Sequence, residues 1–145
     1  MNFLAHLEDS DRDKLLRLGE LRKYAPEQAL LTQGSLLEAV FVVHSGQAHV
    51  ERSDFGHTFV VAELGPGDVV GEIALLDGQP ASAAVIAVSP LEAYVIAHQA
   101  LREFLQFHSG FSARLHRALA LTLAGKLRGS TESLYAEFAE AMAKP

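Results

Sequence analysis

The feature that most constrains the fold is a succession of short strand-like segments between residues 28 and 97. Turns rich in glycine, proline and serine separate these segments, which recur every 8 to 12 residues. Such spacing is typical of an antiparallel sandwich or barrel. The segments read QALLTQG, EAVFVVHSG, QAHVERS, TFVVAELGPGD, SAAVIAVSP and LEAYVIA. We predict a mainly β domain with helices at both ends.

The N-terminal segment has helical rather than strand periodicity. Residues 10 to 23, SDRDKLLRLGELRK, place Leu15, Leu18 and other leucines on one broad face of a helix. Ser10 or Asp11 is suited to its N-cap, because either side-chain oxygen can accept a backbone N–H. We predict an amphipathic helix over residues 10 to 23.

Helical periodicity returns after the last strand-like segment. Residues 98 to 128 contain QALREFLQFH and FSARLHRALALTLAGKLR, which we predict to be two successive helices. The remaining stretch, residues 129 to 145, is predicted to form one short further helix, with Ser130 or Thr131 as its N-cap.

The size and composition of the chain are typical of one globular domain. The chain has 145 residues, of which 49% are hydrophobic and 21% charged, as in ordinary globular proteins. No segment approaches the roughly 20 apolar residues of a membrane span, and the acidic N-terminus lacks the basic start of a signal peptide. The absence of cysteine excludes disulfides and thiolate catalysis. We expect a cytoplasmic protein without membrane contact.

The net charge of −6 is concentrated in the middle of the chain. Residues 53 to 101 carry six acidic residues and no lysine or arginine, whereas the rest carries twelve charges of each sign. Nucleic-acid binding needs a basic face that neutralises phosphates. We therefore expect no nucleic-acid partner.

Catalytic and metal-binding patterns have little support. The seven histidines include no His-x-His pair. His44 and His49 are five residues apart and would point to opposite faces of a continuous strand, so their convergence on a metal is not expected. Ser82 and Ser89 lack the glycine-flanked setting of a nucleophile elbow. We predict neither an enzyme nor a metal site.

Two longer stretches resemble the cyclic-nucleotide-binding family, the domain of catabolite activator proteins and protein kinase A regulatory subunits. They are LLTQGSLLEAVFVVHSGQAHV and LGPGDVVGEIALLDGQPASAAVIAVSPLEAYVIA, which contain the family pattern Pro-Gly-Asp-x-x-Gly-Glu-x-Ala-Leu-Leu. The resemblance covers residues 10 to about 128. It implies a jelly-roll β-roll, a double-stranded β-helix, with an N-terminal helix and C-terminal B and C helices.

The resemblance also implies a division of the chain. Residues 1 to 128 form the cyclic-nucleotide-binding-like domain, with a β-roll over 28 to 97, and residues 129 to 145 form a helical extension. Catabolite-activator relatives carry a helix-turn-helix domain after the C-helix, and residues 129 to 145 are too few for that module. We therefore expect a stand-alone domain.

A ligand-binding cassette follows from the same resemblance. In the family, the glutamate that matches Glu72 accepts the ribose 2′-hydroxyl of a cyclic nucleotide. Thr122 in the C-helix is a candidate contact to the base. No cofactor is required, and cyclic AMP or cyclic GMP is the ligand that the family implies. The cassette residues are Gly71, Glu72, Ile73, Ala74, Ala81, Ser82 and Ala83.

The sequence departs from the family pattern at Ala81. Family members that bind cyclic AMP or cyclic GMP have arginine there, paired with the cyclic phosphate, whereas this chain reads Gln-Pro-Ala-Ser-Ala-Ala. Ser82 keeps the neighbouring hydroxyl. A substitute cation would have to come from elsewhere in the chain, and the candidates are Arg52, Arg114, Arg117, Lys126 and Arg128.

The C-helix is more apolar than one buried stripe requires. Phe111, Leu115, Leu119, Leu123 and Leu127 recur at four-residue spacing, and further apolar residues widen this surface. In the family one side of this helix closes over the ligand and the other pairs with a second subunit. We expect a parallel homodimer through residues 111 to 128. The alternative is a helix packed wholly on its own roll.

These observations predict a regulatory or sensor module that passes the state of a ligand or partner through its C-helix to a downstream protein of unknown identity. Its phosphate site is degenerate at Ala81, which disfavours tight binding of cyclic AMP or cyclic GMP. Two alternatives remain open: a true receptor of low affinity, and a ligand-free dimerisation or docking module.

Overall fold

The structure is a computed structural model, and it describes residues 2–143. A 3-10 turn at Leu4–His6 and the helix α1 at Asp9–Arg17 precede the strands, and the helices α3 (His98–Phe107) and α4 (Ser109–Ala143) follow them. The intervening elements are β1 (Glu20–Tyr24), β2 (Ala29–Leu31), β3 (Ala39–Ser45), β4 (Ala48–Asp54), β5 (His57–Leu64), β6 (Val69–Val70), α2 (Glu72–Asp77), β7 (Ala84–Ala87) and β8 (Leu91–Ala97).

The strands form two antiparallel sheets of four strands each. Sheet A has the order β1, β8, β3, β6, and sheet B has the order β2, β7, β4, β5. The chain passes repeatedly from one sheet to the other, so strands that are adjacent in sequence mostly lie in different sheets. The predicted mainly β domain with flanking helices is confirmed.

Two hydrophobic clusters cover opposite faces of sheet A. Phe41 and Val43 of β3 belong to an inner cluster with residues of sheet B, including Val85 and Leu64. Val40 and Val42, which alternate with them, belong to an outer cluster with residues of the helices. Successive side chains in a strand point to opposite faces. Sheet A is therefore the central layer, between sheet B and the helices.

The predicted helix over residues 10 to 23 is wrong at both ends. Helix α1 begins at Asp9 with Glu8 as its N-cap, so neither Ser10 nor Asp11 caps it. It ends at Arg17, and residues 20 to 24 form the strand β1, which pairs with β8. A Cβ atom at Gly19 would lie 2.7 Å from the carbonyl oxygen of Val95, so only glycine allows the chain to approach β8 this closely between α1 and β1.

The predicted break near residue 129 is also wrong. Helix α4 runs without interruption from Ser109 to Ala143. Thr131 does not cap a new helix, because its hydroxyl donates to the carbonyl oxygen of Leu127 at 2.9 Å. A threonine inside a helix commonly makes this bond to the preceding turn. Residues 144 and 145 of the predicted extension lie outside the described residues.

One ion pair joins the two ends of the domain. Asp11 of α1 is 1% exposed, and Arg114 of α4 donates to its two carboxylate oxygens at 2.7 and 3.1 Å. The hydrogen bond from Arg114 lowers the pKa of Asp11 from its ordinary value, although burial acts in the opposite direction. The pair attaches α4 to α1.

We expect Asp11→Asn to lower the free energy of unfolding at pH 7 by about 1–3 kcal/mol, because a buried carboxylate loses its charge and its bonds to the half-exposed Arg114. Because the folded-state pKa of Asp11 is depressed, its contribution is complete above the ordinary pKa of 3.8 and disappears as the pH falls through the folded-state pKa. The difference from wild type should therefore shrink below about pH 4.

Urea unfolding between pH 7 and pH 2.5 measures this difference. Asp13→Asn is the matched control, since it removes the same charge from an exposed position of the same helix. Equal losses of stability in the two variants at pH 7 would contradict the assigned role of Asp11.

Candidate functional site

The cassette is built around the short helix α2, which is flanked by two glycines in left-handed conformation. Gly71 precedes α2 with φ of 86°, and Gly78 follows it with φ of 68°. A Cβ atom at Gly71 would lie 2.5 Å from the carbonyl oxygen of Ala39. Both the positive φ and this close approach to β3 require glycine at position 71. The sequence therefore determines locally where α2 begins and how close it lies to sheet A.

The predicted cassette residues have different environments. Glu72 and Ala74 are buried, Gly71, Ala81 and Ala83 are half-buried, and Ile73 and Ser82 are exposed. No hydrogen bond joins Glu72 to Ala81 or Ser82 in the part of the chain that the structure describes. Their assignment to one ligand site stays a prediction.

Ala81 lies where the loop after α2 pairs with the loop between β2 and β3. Its N–H donates to the carbonyl of Ser35 at 2.8 Å, and its carbonyl accepts from the N–H of Gly34 at 2.7 Å. Its methyl group packs against the inner cluster of the roll. The backbone at this position is thus held from both sides, while the side chain brings no polar group.

Glu72 is a buried carboxylate with a partner from the C-terminal helix. Its side chain is 4% exposed, and the Lys126 Nζ atom donates to Oε1 at 3.0 Å. The same ammonium lies 3.5 Å from the carbonyl oxygen of Val69, just before the cassette. A buried carboxylate is costly unless it is paired, and Lys126 supplies that pairing.

The remaining candidate cations do not contact the cassette. Arg52 pairs with Asp54 at 2.7 Å, and Arg114 pairs with Asp11. Arg117 and Arg128 are exposed and make no ion pair within residues 2–143. Of the five cations considered from the sequence, Lys126 is the one that reaches the cassette, and it binds the carboxylate of Glu72.

Thr122 lies on α4, one helical turn before Lys126. It is fully buried, and its hydroxyl donates to the carbonyl oxygen of Ala118 at 2.8 Å. In this arrangement the hydroxyl is occupied within the helix. Its predicted contact to a nucleotide base stays a prediction.

Two further residues hold the cassette, and no sequence pattern indicated them. The ring of His98 is 4% exposed, and its Nε2 lies 3.1 Å from the carbonyl oxygen of Gly71. Because a carbonyl only accepts, Nε2 carries the proton in this contact. Arg102, one turn later on α3, donates to the carbonyl oxygen of Leu75 at 3.1 Å. Both contacts join positions 27 residues apart, which no local pattern reveals.

Two open cavities lie outside the cassette residues, and the larger one borders Ser35 and Ala39, which contact the cassette. One, of about 680 Å³, is lined by β1, β2 and the loop before β3, with residues such as Arg22, Leu31 and Leu36. The other, of about 370 Å³, lies under the N-terminal segment beside Tyr94. Neither cavity is lined by a predicted cassette residue. We therefore place the candidate site at α2, where several polar contacts converge, rather than at the larger cavity.

Metal-binding geometry is not found in the described residues. No three histidine, aspartate or glutamate side chains within residues 2–143 are placed to hold one ion. His44 contacts the ring of Tyr94 edge-on, and His49 lies 3.7 Å from the carboxylate of Glu63. In the same residues, no helix combines the length and the hydropathy needed to cross a membrane.

Comparison with known proteins identifies the class to which this fold and cassette belong. The family model described as "Cyclic nucleotide-binding domain" matches residues 21–108. The chain therefore belongs to the cyclic nucleotide-binding domain family, which is a regulatory domain family. The resemblance that the Gly-Glu-x-Ala-Leu-Leu cassette indicated is confirmed.

Individual relatives are similar over part of their length. A cAMP-dependent protein kinase regulatory subunit of Mycosarcoma maydis is 36% identical over 81 residues, which are 56% of this chain and 15% of that protein. The Cyclic AMP receptor protein of Thermus thermophilus is 33% identical over 87 residues, which are 59% of this chain and 40% of that protein. The chain thus spans less than half of each.

Solved structures support the same fold. The Thermus thermophilus Catabolite Activator Protein superposes with a TM-score of 0.78 at 27% identity, covering 92% of this chain and 62% of that chain. A cyclic nucleotide-binding domain from Methylobacillus flagellatus gives a TM-score of 0.83 at 20% identity over 90% of this chain and 74% of that chain. The predicted jelly-roll β-roll with flanking helices is confirmed.

The contact between His98 and Gly71 leads to a prediction of pH dependence. Burial lowers the pKa of His98 from its ordinary value of 6.5, so the neutral ring is favoured in the folded state. The stability that the neutral ring of His98 contributes is complete above about pH 6.5 and is lost as the pH falls toward the folded-state pKa. His98→Gln keeps an N–H donor without this titration, and it should reduce the loss of stability between pH 6.5 and 5.

Thermal unfolding from pH 8 to pH 5 measures the effect, and His116→Gln on the exposed face of α4 is the control. An NMR titration of the imidazole of His98 should give a midpoint below 6.5. A midpoint at or above that value would overturn the assignment of a buried, neutral ring.

Proposed function

We propose that this chain is a regulatory module whose cassette responds to a ligand or a partner and passes that state to the C-terminal helices. Membership in the cyclic nucleotide-binding domain family supports the proposal. The contacts of His98, Arg102 and Lys126 also support it, because they link α3 and α4 directly to α2. A ligand that displaces α2 would therefore change the packing of both helices.

The observation that carries the ligand part of this proposal is the environment of Ala81. In relatives that bind cyclic AMP or cyclic GMP, an arginine at this position pairs with the phosphate. Here a methyl group faces the inner cluster, and residues 53 to 101 contain no lysine or arginine. A charge-assisted hydrogen bond contributes about 1.5–3 kcal/mol, which corresponds to roughly one to two decades in affinity. We propose that the natural ligand is bound weakly or is less anionic than a cyclic mononucleotide.

We expect wild-type protein to show no measurable binding of cyclic AMP at micromolar concentration, and Ala81→Arg to bind at least about tenfold more tightly, because the guanidinium restores a partner for the phosphate. Isothermal titration calorimetry measures both proteins. Gln79→Arg is the matched control, since it adds the same charge at an exposed position of the same loop.

Two outcomes would contradict the proposed phosphate site. A micromolar dissociation constant for wild-type protein would favour a true cyclic nucleotide receptor. No gain in Ala81→Arg, or an equal gain in Gln79→Arg, would show that position 81 does not face the phosphate.

A second candidate function, dimerisation or docking, is favoured by the exposed surface of α4. Part of the stripe expected to pair with a second subunit packs on its own roll instead, since Phe111, Leu115 and Leu119 are buried in the outer cluster. A different stripe is exposed, and its members are spaced alternately by four and three residues. This outer stripe consists of Ala120, Ala124, Leu127, Thr131, Leu134, Phe138 and Ala141.

The spacing and exposure of the outer stripe fit a coiled coil with a second copy. Alternation of four and three residues is the heptad pattern that keeps an apolar seam facing a partner helix. Every residue from 127 to 143 is exposed, so within the described chain no other segment covers this half of α4. Leu134 and Phe138 are 67% and 66% exposed. We propose that α4 forms a two-stranded coiled coil with its counterpart and that the dimer contact extends to residue 141.

We expect Leu134→Glu to weaken self-association by about two to four decades, since each copy loses the burial of one leucine, worth about 1.5–3 kcal/mol. Sedimentation velocity over a range of protein concentrations measures the dissociation constant. Ala136→Glu, on the opposite side of the helix, adds the same charge without entering the seam. A wild-type monomer at tens of micromolar, or equal effects of the two variants, would contradict this arrangement.

A further inference from the structure

The contact between Lys126 and Glu72 joins a residue of the cassette to a residue 54 positions later on α4. The carboxylate is almost fully buried, with 4% of the side chain exposed, whereas the lysine side chain is 39% exposed. The lysine therefore reaches inward from the rim to a carboxylate that is already fixed in the protein. Without this partner, Glu72 would be a buried, uncompensated charge.

The ammonium of Lys126 is not available as an anion site in this arrangement. It lies 3.0 Å from Glu72 Oε1 and 3.5 Å from the carbonyl oxygen of Val69, so a carboxylate already neutralises its charge. An approaching phosphate would meet a neutralised pair. The geometry thus argues against Lys126 as a resting replacement for the arginine that position 81 lacks.

We infer that Lys126 is an internal competitor for the ligand, because it occupies the carboxylate that a ribose hydroxyl would use and holds α4 against α2 through that contact. This inference rests on the proposed function, because it takes Glu72 as the ribose contact. A ligand that donates a hydroxyl to Glu72 must first displace the ammonium, and that displacement frees α4 from α2. By linkage, the factor by which the contact between Lys126 and Glu72 lowers the affinity for such a ligand equals the factor by which the bound ligand weakens that contact.

The consequence extends to the outer stripe. Lys126 precedes Leu127, the first large residue of the stripe, in the chain. Within residues 2–143, the contacts of Lys126 with Glu72 and Val69 are the polar contacts between α4 and the roll that lie nearest the C-terminus, and every residue from 127 to 143 is exposed. The ion pair is therefore placed to couple the state of the cassette to the half of α4 that we propose as the dimer contact.

The test compares Ala81→Arg with Ala81→Arg/Lys126→Met, using cyclic AMP and 2′-deoxy cyclic AMP as probes in calorimetry. Methionine keeps the length of the side chain and removes its charge. We expect the double variant to bind cyclic AMP about two- to fivefold more tightly, as removal of an ion pair of this exposure allows. The 2′-deoxy probe should show no such gain, because it has no hydroxyl to offer Glu72.

Two controls make the comparison specific. Ala81→Arg/Arg128→Met removes the same charge two residues away, from an exposed arginine without an ion pair within residues 2–143, and should bind both probes like Ala81→Arg. If Lys126→Met unfolds the protein, Lys126→Ser replaces it, since the smaller side chain lets water reach the carboxylate. Thermal unfolding checks that each variant is folded.

Three outcomes would overturn the proposed competition between Lys126 and the ligand. Equal or weaker binding of cyclic AMP by the double variant overturns the competition and leaves the proposed function standing. An equal gain for both probes also overturns it, because the effect would then be general electrostatics. Failure of every variant to bind cyclic AMP overturns both this inference and the ligand part of the proposed function.

Discussion

The packing of helices on the outer face of sheet A is the constraint on which the other features depend. Strand β3 alternates between Phe41 and Val43, which face sheet B, and Val40 and Val42, which face the helices. A sheet buried on both faces leaves α3 and α4 little freedom in where they lie. Because these helices are fixed, the side chains that they extend toward α2 arrive at defined atoms. The position of the cassette relative to the helices is thus a consequence of the hydrophobic alternation in one strand.

Much of the fold could be predicted because its information is local. The alternation of strands and turns over residues 28 to 97 indicates a β-roll, and the Gly-Glu-x-Ala-Leu-Leu pattern indicates the cassette that interrupts it. The short strands β1 and β6 were not predicted from the sequence, for two different reasons. Residues 20 to 24 continue the leucine pattern of α1, and only pairing with β8 makes them a strand. Strand β6 has two residues, too few for any periodicity.

The site was less predictable, because its contacts are long-range. Lys126 was one of five cations that the sequence offered, and nothing in its neighbourhood separates it from Arg128. The choice is made by the tertiary fold, which turns position 126 toward Glu72 and leaves position 128 in solvent. The same holds for His98 and Arg102, whose partners are backbone carbonyls in a distant loop. A backbone carbonyl has no sequence identity that a pattern could detect.

The distribution of charge along the chain explains why the positive charges at the cassette come from the helices. From residue 53 to residue 101 the chain has acidic side chains and no lysine or arginine. Any full positive charge at the cassette therefore comes from outside that segment, and in the described residues Arg102 and Lys126 provide it. The contacts of Arg102 and Lys126 therefore both bring positive charge to the cassette and attach α3 and α4 to it. We therefore expect a mutation that changes the charge of the cassette to alter the contacts that hold α3 and α4 against it.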